Sequence, residues 1–333
     1  MSRPLIMVTG GAGFIGSNIV AELLSAGRYE VAVCDRLRTA ASGKWRNLAK
    51  HAIVDFVAPE ELFAWLAAHA GELAAVVHMG AISSTTEPDA DLILHTNFTL
   101  SKRLWDWCAK AGVKLVYASS AATYGDGALG FDDADDIASL ERLRPLNPYG
   151  WSKALFDIYA RRRADEGRAP PSWAGLKFFN VYGPNEYHKG GMKSVVAQIW
   201  PKVAAGEGVT LFRSHHPDYA DGGQLRDFVS VKDAARVAAW LVEREEVEGI
   251  YNLGSGTARS FKDLAEAVFR AAGRAPEIAY VDTPEAIRSQ YQYFTEAKMQ
   301  RLHALGYTAP FHTLEAGITD YVERYLAASD PYC

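Results

Sequence analysis

The chain has 333 residues, 49% hydrophobic and 23% charged, with a formal net charge of -5 and a pI of about 6.0. That is globular composition, long enough for a substantial core and for about two domains. The acidic balance argues against a nucleic-acid-binding surface, so any phosphate must be held by local dipoles and a few placed cations.

The first apolar run, Leu5–Thr9, reads as a buried strand. Thr9-Gly10-Gly11-Ala12-Gly13-Phe14-Ile15-Gly16 follows it and leads into a helix over 17–26. In such a turn one glycine permits the tight bend, another lets the backbone approach a pyrophosphate, and a third lets helix and strand pack closely. The helix N-terminus adds free N–H groups and a partial positive charge. Gly10, Gly13 and Gly16 are therefore candidate dinucleotide-binding residues. The next strand, Glu30–Cys34, ends just before Asp35, near the ~20-residue offset of a ribose-binding acid. Asp35 would accept from the free 2′-hydroxyl of NAD, whereas Arg36, Arg38 and Lys44 could neutralise the 2′-phosphate of NADP. The cluster of cations favours NADP, with NAD left open.

Strand-like runs at 52–57, 74–78 and 114–118 alternate with helical stretches at 60–70 and 90–111. This alternation predicts an α/β fold, a Rossmann-type doubly wound parallel sheet with helices on both faces. Ser120 closes the fifth strand, at the end where ligands of open parallel sheets bind. Tyr149 and Lys153 stand four apart at the start of a helix over 149–166 and share one face. A phenol is a poor base at neutral pH, and a nearby ammonium lowers its pKa toward the working range. Lys153 can also hold a ribose hydroxyl, and Ser120 can hydrogen-bond a reacting oxygen.

A strand over 176–181 follows. The segment 185–226 then turns loop-rich, with Gly190-Gly191, Pro201, Pro217 and Gly222-Gly223, and 215–224 reads as an exposed, mobile loop. A strand over 228–231, a helix from about Asp233 and a strand over 251–254 restore the alternation of strand and helix. Ser260 reads as the N-cap of a helix over 261–272, and 313–327 as a last helix. The division expected is a dinucleotide-binding domain of 1–183 plus about 228–254, interleaved with a smaller α/β substrate-binding domain of 184–227 and 255–333. The cysteines Cys34, Cys108 and Cys333 have no paired spacing; the first two read as buried and the third as exposed. With no signal-peptide layout and no bilayer-length apolar run, the expected location is the cytoplasm.

Taken together, the glycine turn, Ser120, Tyr149 and Lys153 resemble the extended short-chain dehydrogenase/reductase family of sugar-nucleotide enzymes. Within it, Ser83-Ser84-Thr85-Thr86-Glu87, the His188-Lys189-Gly190 that follows Phe179-Asn180-Val181-Tyr182-Gly183-Pro184, and Tyr291-Gln292 are similar to the heptose 6-epimerases. That resemblance implies oxidation at C6 of an ADP-linked heptose to a ketone and reduction from the opposite face, supplying heptose for lipopolysaccharide core. It implies Tyr149 and Lys189 as the two acid/base groups. Phe14, Ile15, Asp35, Arg36, Lys44, Asp55, Met79, Gly80, Ala81, Ile82, Ser83, Asn97, Lys153, Val181 and Lys189 match cofactor positions. Ser84, Asn180, Gly191, Gln198, Phe212, Arg226 and Tyr291 match substrate positions, with Arg226 the partner of the substrate diphosphate. It also implies a homo-oligomer, a pentamer in size.

The sequence departs from the family pattern in four places, one of them a longer loop over 215–224. A cofactor-binding Lys near Pro59 is absent, Gly191 replaces a small hydroxyl residue, and Gln198 replaces a His. Two other functions share part of the pattern. A nucleotide-sugar 4-epimerase of the UDP-glucose type would use Ser120, Tyr149 and Lys153 but not Lys189. A cofactor-sensing binding protein would need no intact Tyr149 and Lys153. A 4,6-dehydratase would need acids after Ser120, where Ala121-Ala122 stand.

Overall fold

A computed structural model describes residues 3–84, 87–288 and 292–333. Its strands are β1 (Leu5–Thr9), β2 (Glu30–Cys34), β3 (Asp55–Val57), β4 (Leu73–His78), β5 (Lys114–Ser120), β6 (Trp173–Phe178), β7 (Asn180–Tyr182), β8 (Val209–Phe212), β9 (Leu225–Ser230), β10 (Glu248–Leu253), β11 (Ala258–Ser260) and β12 (Ile278–Val281). Seven of them form one sheet in the order β10-β6-β5-β4-β1-β2-β3. Every pairing in it is parallel. The alternating residues of β1 and β2 feed two cores, Ile6, Val8, Val31 and Val33 on one face and Met7 and Ala32 on the other. This explains the near-continuous apolar strands and is the doubly wound fold expected.

Strand order reverses between β1 and β4, which opens a crevice beyond their carboxyl ends. Register sets the height of that crevice. Thr9 pairs with Cys34 on one side and His78 on the other, and Ser120 pairs with Phe178. A smaller sheet, β11-β9-β7, and the pair β12-β8 lie over a third core with helices Val195–Ala204, Phe261–Ala271 and Leu314–Tyr321. Among the described residues no helix is long and apolar enough to cross a membrane.

Several element boundaries differ from expectation for identifiable reasons. The first helix is Phe14–Ser25, because Gly13 rather than a hydroxyl residue caps it. The stretch expected as one strand over 176–181 is two strands, β6 and β7, joined through Phe179 and assigned to different sheets. The helix over 90–111 carries a wider π turn at Leu94–Thr99. Helix Val195–Ala204 was hidden by Pro201, which the helix accommodates near its end. Ser260 caps helix Phe261–Ala271 as expected, in a reciprocal capping box with Asp263.

Candidate active site

The glycine turn is shaped for close backbone approach. Gly10 has φ +67°, and a Cβ there would lie 2.6 Å from the Gly80 nitrogen. A Cβ on Gly16 would collide with the Gly10 carbonyl oxygen. Gly13 begins the helix without a side-chain cap, so its first N–H groups remain available to an anion. These residues floor a cavity of about 800 Å³. Its walls include Phe14, Ile15, Asp35, Lys44, Met79, Gly80, Ala81, Ile82, Ser83, Ser84, Ser120, Tyr149, Lys153, Asn180, Val181 and Lys189.

The floor is tied to the fold behind it. The Gly80 N–H donates to Thr9 Oγ1 at 3.3 Å, and the Thr9 hydroxyl meets His78 Nδ1 at 2.6 Å. His78 Nε2 lies 2.9 Å from Ser101 Oγ, whose proton goes to the Asn97 carbonyl at 2.5 Å. Ser101 is thus an acceptor toward the ring, so His78 carries its proton on Nε2 and accepts at Nδ1. Burial, with the Lys153 charge in addition, pushes His78 down to about 3. Asn97 sits in the π turn and clasps Ile82 from both sides, accepting from its N–H at 2.8 Å and donating to its carbonyl at 3.0 Å. It shapes the wall through Ile82 rather than lining the cavity itself.

At the Asp35 end of the cavity, the carboxylate accepts from the Ala12 N–H at 2.9 Å and from Lys44 Nζ at 2.6 Å. Arg38, in the left-handed region at φ 61°, and Ser42 complete the rim.

Tyr149 stands in the first turn of helix Pro148–Asp165, whose N-terminus is capped by Asn147 at 2.8 Å. Burial raises the phenol, and a hydrogen bond with the Ser120 side chain opposes that rise. Ser120 Oγ also accepts from the Ala122 N–H at 3.1 Å, which fixes it at the tip of β5. Lys153 donates to the Ala118 carbonyl at 2.8 Å, and burial brings it down to about 8 despite the nearby Asp157.

Lys189 reaches the cavity from the segment Tyr187–Met192. Its ammonium lies 5.1 Å from the centre of the Phe14 ring, and burial lowers its pKa against the opposing pull of Glu186. The segment is anchored just upstream. Buried Asn185, at φ 74°, donates to Ser17 Oγ at 2.9 Å, and its carbonyl accepts from Asn47 Nδ2 at 3.1 Å. It also donates to Cys333 Sγ at 2.9 Å. Cys333, expected exposed, is therefore half-buried, while Cys34 and Cys108 are buried as expected.

Six further candidates lie off the cavity wall. The Arg36 guanidinium pairs with Glu60, because the chain turns it outward from the cavity. Asp55 accepts from the Trp65 indole at 2.6 Å, on the edge strand. Arg226 donates to the Leu225 carbonyl at 2.8 Å and to the Gln292 carbonyl, and stacks 5.6 Å from Phe261. Gln198 donates to the Lys193 carbonyl at 2.6 Å, bracing a wall residue. Gly191 is exposed and Phe212 ends β8. Tyr291 lies outside the described residues, as do Thr85 and Thr86.

The description that matches residues 6–254 is the NAD dependent epimerase/dehydratase family. The chain belongs to this family. Among its members, a protein of Nitratidesulfovibrio vulgaris named ADP-L-glycero-D-manno-heptose-6-epimerase is 50% identical over 331 residues, 98% of this chain and 100% of the relative. The solved Helicobacter pylori enzyme of the same name is 27% identical with a TM-score of 0.78, covering 97% of this chain and 96% of that one. The Thermus thermophilus UDP-glucose 4-epimerase, solved with NAD, is 32% identical with a TM-score of 0.74, covering 96% and 98%.

For this epimerase/dehydratase family member the sequence left part of the wall unread. Phe178, Phe179, Phe228, Phe261 and Leu264 line the cavity, yet in sequence they are indistinguishable from core. His188 also lines it, pushed down to about 4 by burial and by Lys44 and Lys189. His188 stands in the His188-Lys189-Gly190 stretch read from sequence, but that stretch gave it no role of its own.

Proposed function

We propose that the enzyme inverts C6 of the heptose in ADP-D-glycero-D-manno-heptose, giving the L-glycero form. The carrying observation is that Tyr149 and Lys189 reach one cavity from separate elements, above the glycine cradle. The names of near-full-length relatives support the choice of sugar.

A nicotinamide dinucleotide fits the cradle, because Gly10 and Gly16 leave no room for a Cβ and the helix start is uncapped. The cofactor would be held by the turn 10–16, Asp35, Lys44, the stretch 79–83, Val181 and Lys153, and would supply reversible hydride transfer there. Ser120 holds the C6 oxygen. Tyr149 or Lys189 takes the hydroxyl proton during oxidation, and the other group returns a proton on the opposite face during reduction. The lowered pKa of Lys189 brings its ammonium nearer to proton exchange at neutral pH. Lys153, at about 8, keeps its charge at neutral pH.

NADP is the cofactor of this reading. The Asp35 carboxylate already accepts from the Ala12 and Arg36 backbone N–H groups and from Lys44, and Arg38 and Ser42 gather beside it. The two-part division into a cofactor domain and a substrate domain belongs to the same proposal.

The test is direct. Purified protein is mixed with ADP-D-glycero-D-manno-heptose, and the C6 configuration is followed by NMR, without and with added NADP or NAD. Conversion to the L-glycero form is the expected result. No conversion under any of these conditions overturns the heptose reading and moves the UDP-sugar 4-epimerase reading forward.

A further inference from the structure

We propose that Asp157 and Lys177, a buried ion pair behind the cavity wall, are positioning residues for Ser120 and Lys153. The inference rests on the catalytic roles given above but not on the identity of the sugar.

Neither residue lines the cavity, and they are 0% and 1% exposed. Lys177 Nζ lies 3.8 Å from Asp157 Oδ2. Asp157 follows Lys153 by one helical turn, so both face β5. Its carboxylate accepts from Ser119 Oγ at 2.7 Å and from the Tyr117 hydroxyl at 3.1 Å. Lys177 donates to Thr123 Oγ1 at 3.1 Å, and Thr123 donates to the Ser120 carbonyl at 2.8 Å. The Lys177 ammonium also lies 4.4 Å from the centre of the Tyr124 ring.

The pair therefore grips both sides of Ser120. Asp157 holds the residue before it, and Lys177 holds its carbonyl through Thr123. Lys153 bonds the carbonyl of Ala118, one residue before Ser119 on the same strand. A buried pair of this kind contributes little net stability over apolar residues of equal shape. Its effect here is to fix the tip of β5 and to set a negative charge beside Lys153.

The charged and titratable groups around the pair are Tyr117 on β5, Tyr124 beside Lys177, Lys153 on the helix, and Asp133, Asp135 and Arg301 near Lys177. Of these, Lys153 is the group whose cation would meet the cofactor ribose. Asp157 favours that cation, so removing the carboxylate moves Lys153 titration to lower pH.

The test uses Asp157→Asn, Lys177→Met and the double variant, with dinucleotide affinity measured against pH by fluorescence titration of nucleotide-stripped protein. This readout does not depend on which sugar nucleotide is used. In Asp157→Asn the alkaline loss of affinity is expected to move down by about one pH unit. Turnover at neutral pH is expected to fall roughly tenfold, with KM changed less than about twofold, as displaced groups require. The double variant should regain thermal stability without regaining turnover or the pH profile. If Asp157→Asn fails to fold, the double variant carries the same comparison. An unmoved alkaline limb, or recovery of turnover together with stability in the double variant, would reduce the pair to packing and overturn the proposal. Failure of the sugar assignment would show instead as an inactive wild-type enzyme with a normal affinity profile.

Discussion

Replacing His78 by glutamine isolates the acid sensitivity of the cavity floor. The wild-type imidazole is 3% exposed and pushed down to about 3 by burial and the Lys153 charge. In the unfolded chain it titrates near ~6.5. Protonation is therefore disfavoured by the fold, and the unfolded state binds more protons anywhere between those values. The sign follows from linkage: the contribution of neutral His78 is present in full above pH ~6.5 and is lost as pH falls toward 3. At ~1.4 kcal/mol per pH unit, the gap of about 3.5 pH units amounts to about 5 kcal/mol, an upper figure for a fully buried group. Glutamine offers an acceptor toward Thr9 and a donor toward Ser101 with nothing to titrate. Urea unfolding of both proteins, followed by tryptophan fluorescence from pH 7.5 to 4.5, supplies the comparison. Wild type should be the more stable near neutrality, and its advantage should shrink by ~1.4 kcal/mol for each pH unit below about 6. A wild-type-minus-variant difference that stays constant across this range would refute the argument that His78 is held neutral.

Gly16→Ala should abolish co-purifying dinucleotide, since the new methyl meets the Gly10 carbonyl; the nucleotide released on denaturation measures this directly. Tyr149→Phe should keep the cofactor and lose turnover by about 10²–10⁴-fold, the range of acid–base catalysis, read in a single-turnover NMR assay. Lys189→Met should lose turnover by a similar factor with little change in fold, and unchanged turnover would mark it as a bystander. Lys44→Met should weaken NADP by about 1–3 kcal/mol and NAD much less, measured by parallel fluorescence titrations. Equal losses for both dinucleotides would remove Lys44 from the choice between them.

The parallel sheet was legible because its strands are buried on both faces and read as short apolar runs between helical periods. The glycine turn was legible from its context, with a strand before it, a helix after it and Asp35 at the end of the next strand. Lys189 was legible only through resemblance, since a lysine in a Gly-Gly loop carries no periodic signal. The direction of Arg226 was not legible, because residue type does not say where a guanidinium turns, and here it turns to two backbone carbonyls. Pro201 hid the helix Val195–Ala204, because a proline near the end of a helix costs less than one in its middle. Asp157 and Lys177 gave no signal beyond two ordinary charges in apolar surroundings.

The position of β10 bears on how the chain is made. All six residues of β6 are buried, and one of its edges is completed only by β10. Phe178 ends β6 and Leu253 ends β10, so 75 residues must be added before that edge can close (253 − 178). At ~5–20 residues per second, a ribosome leaves it open for roughly 4–15 s. During that interval Trp173, Leu176 and Phe178 offer an unpaired apolar strand to any neighbour. Slower translation over this stretch should therefore lengthen that exposure and lower the soluble yield, and chaperone occupancy during it should raise the yield.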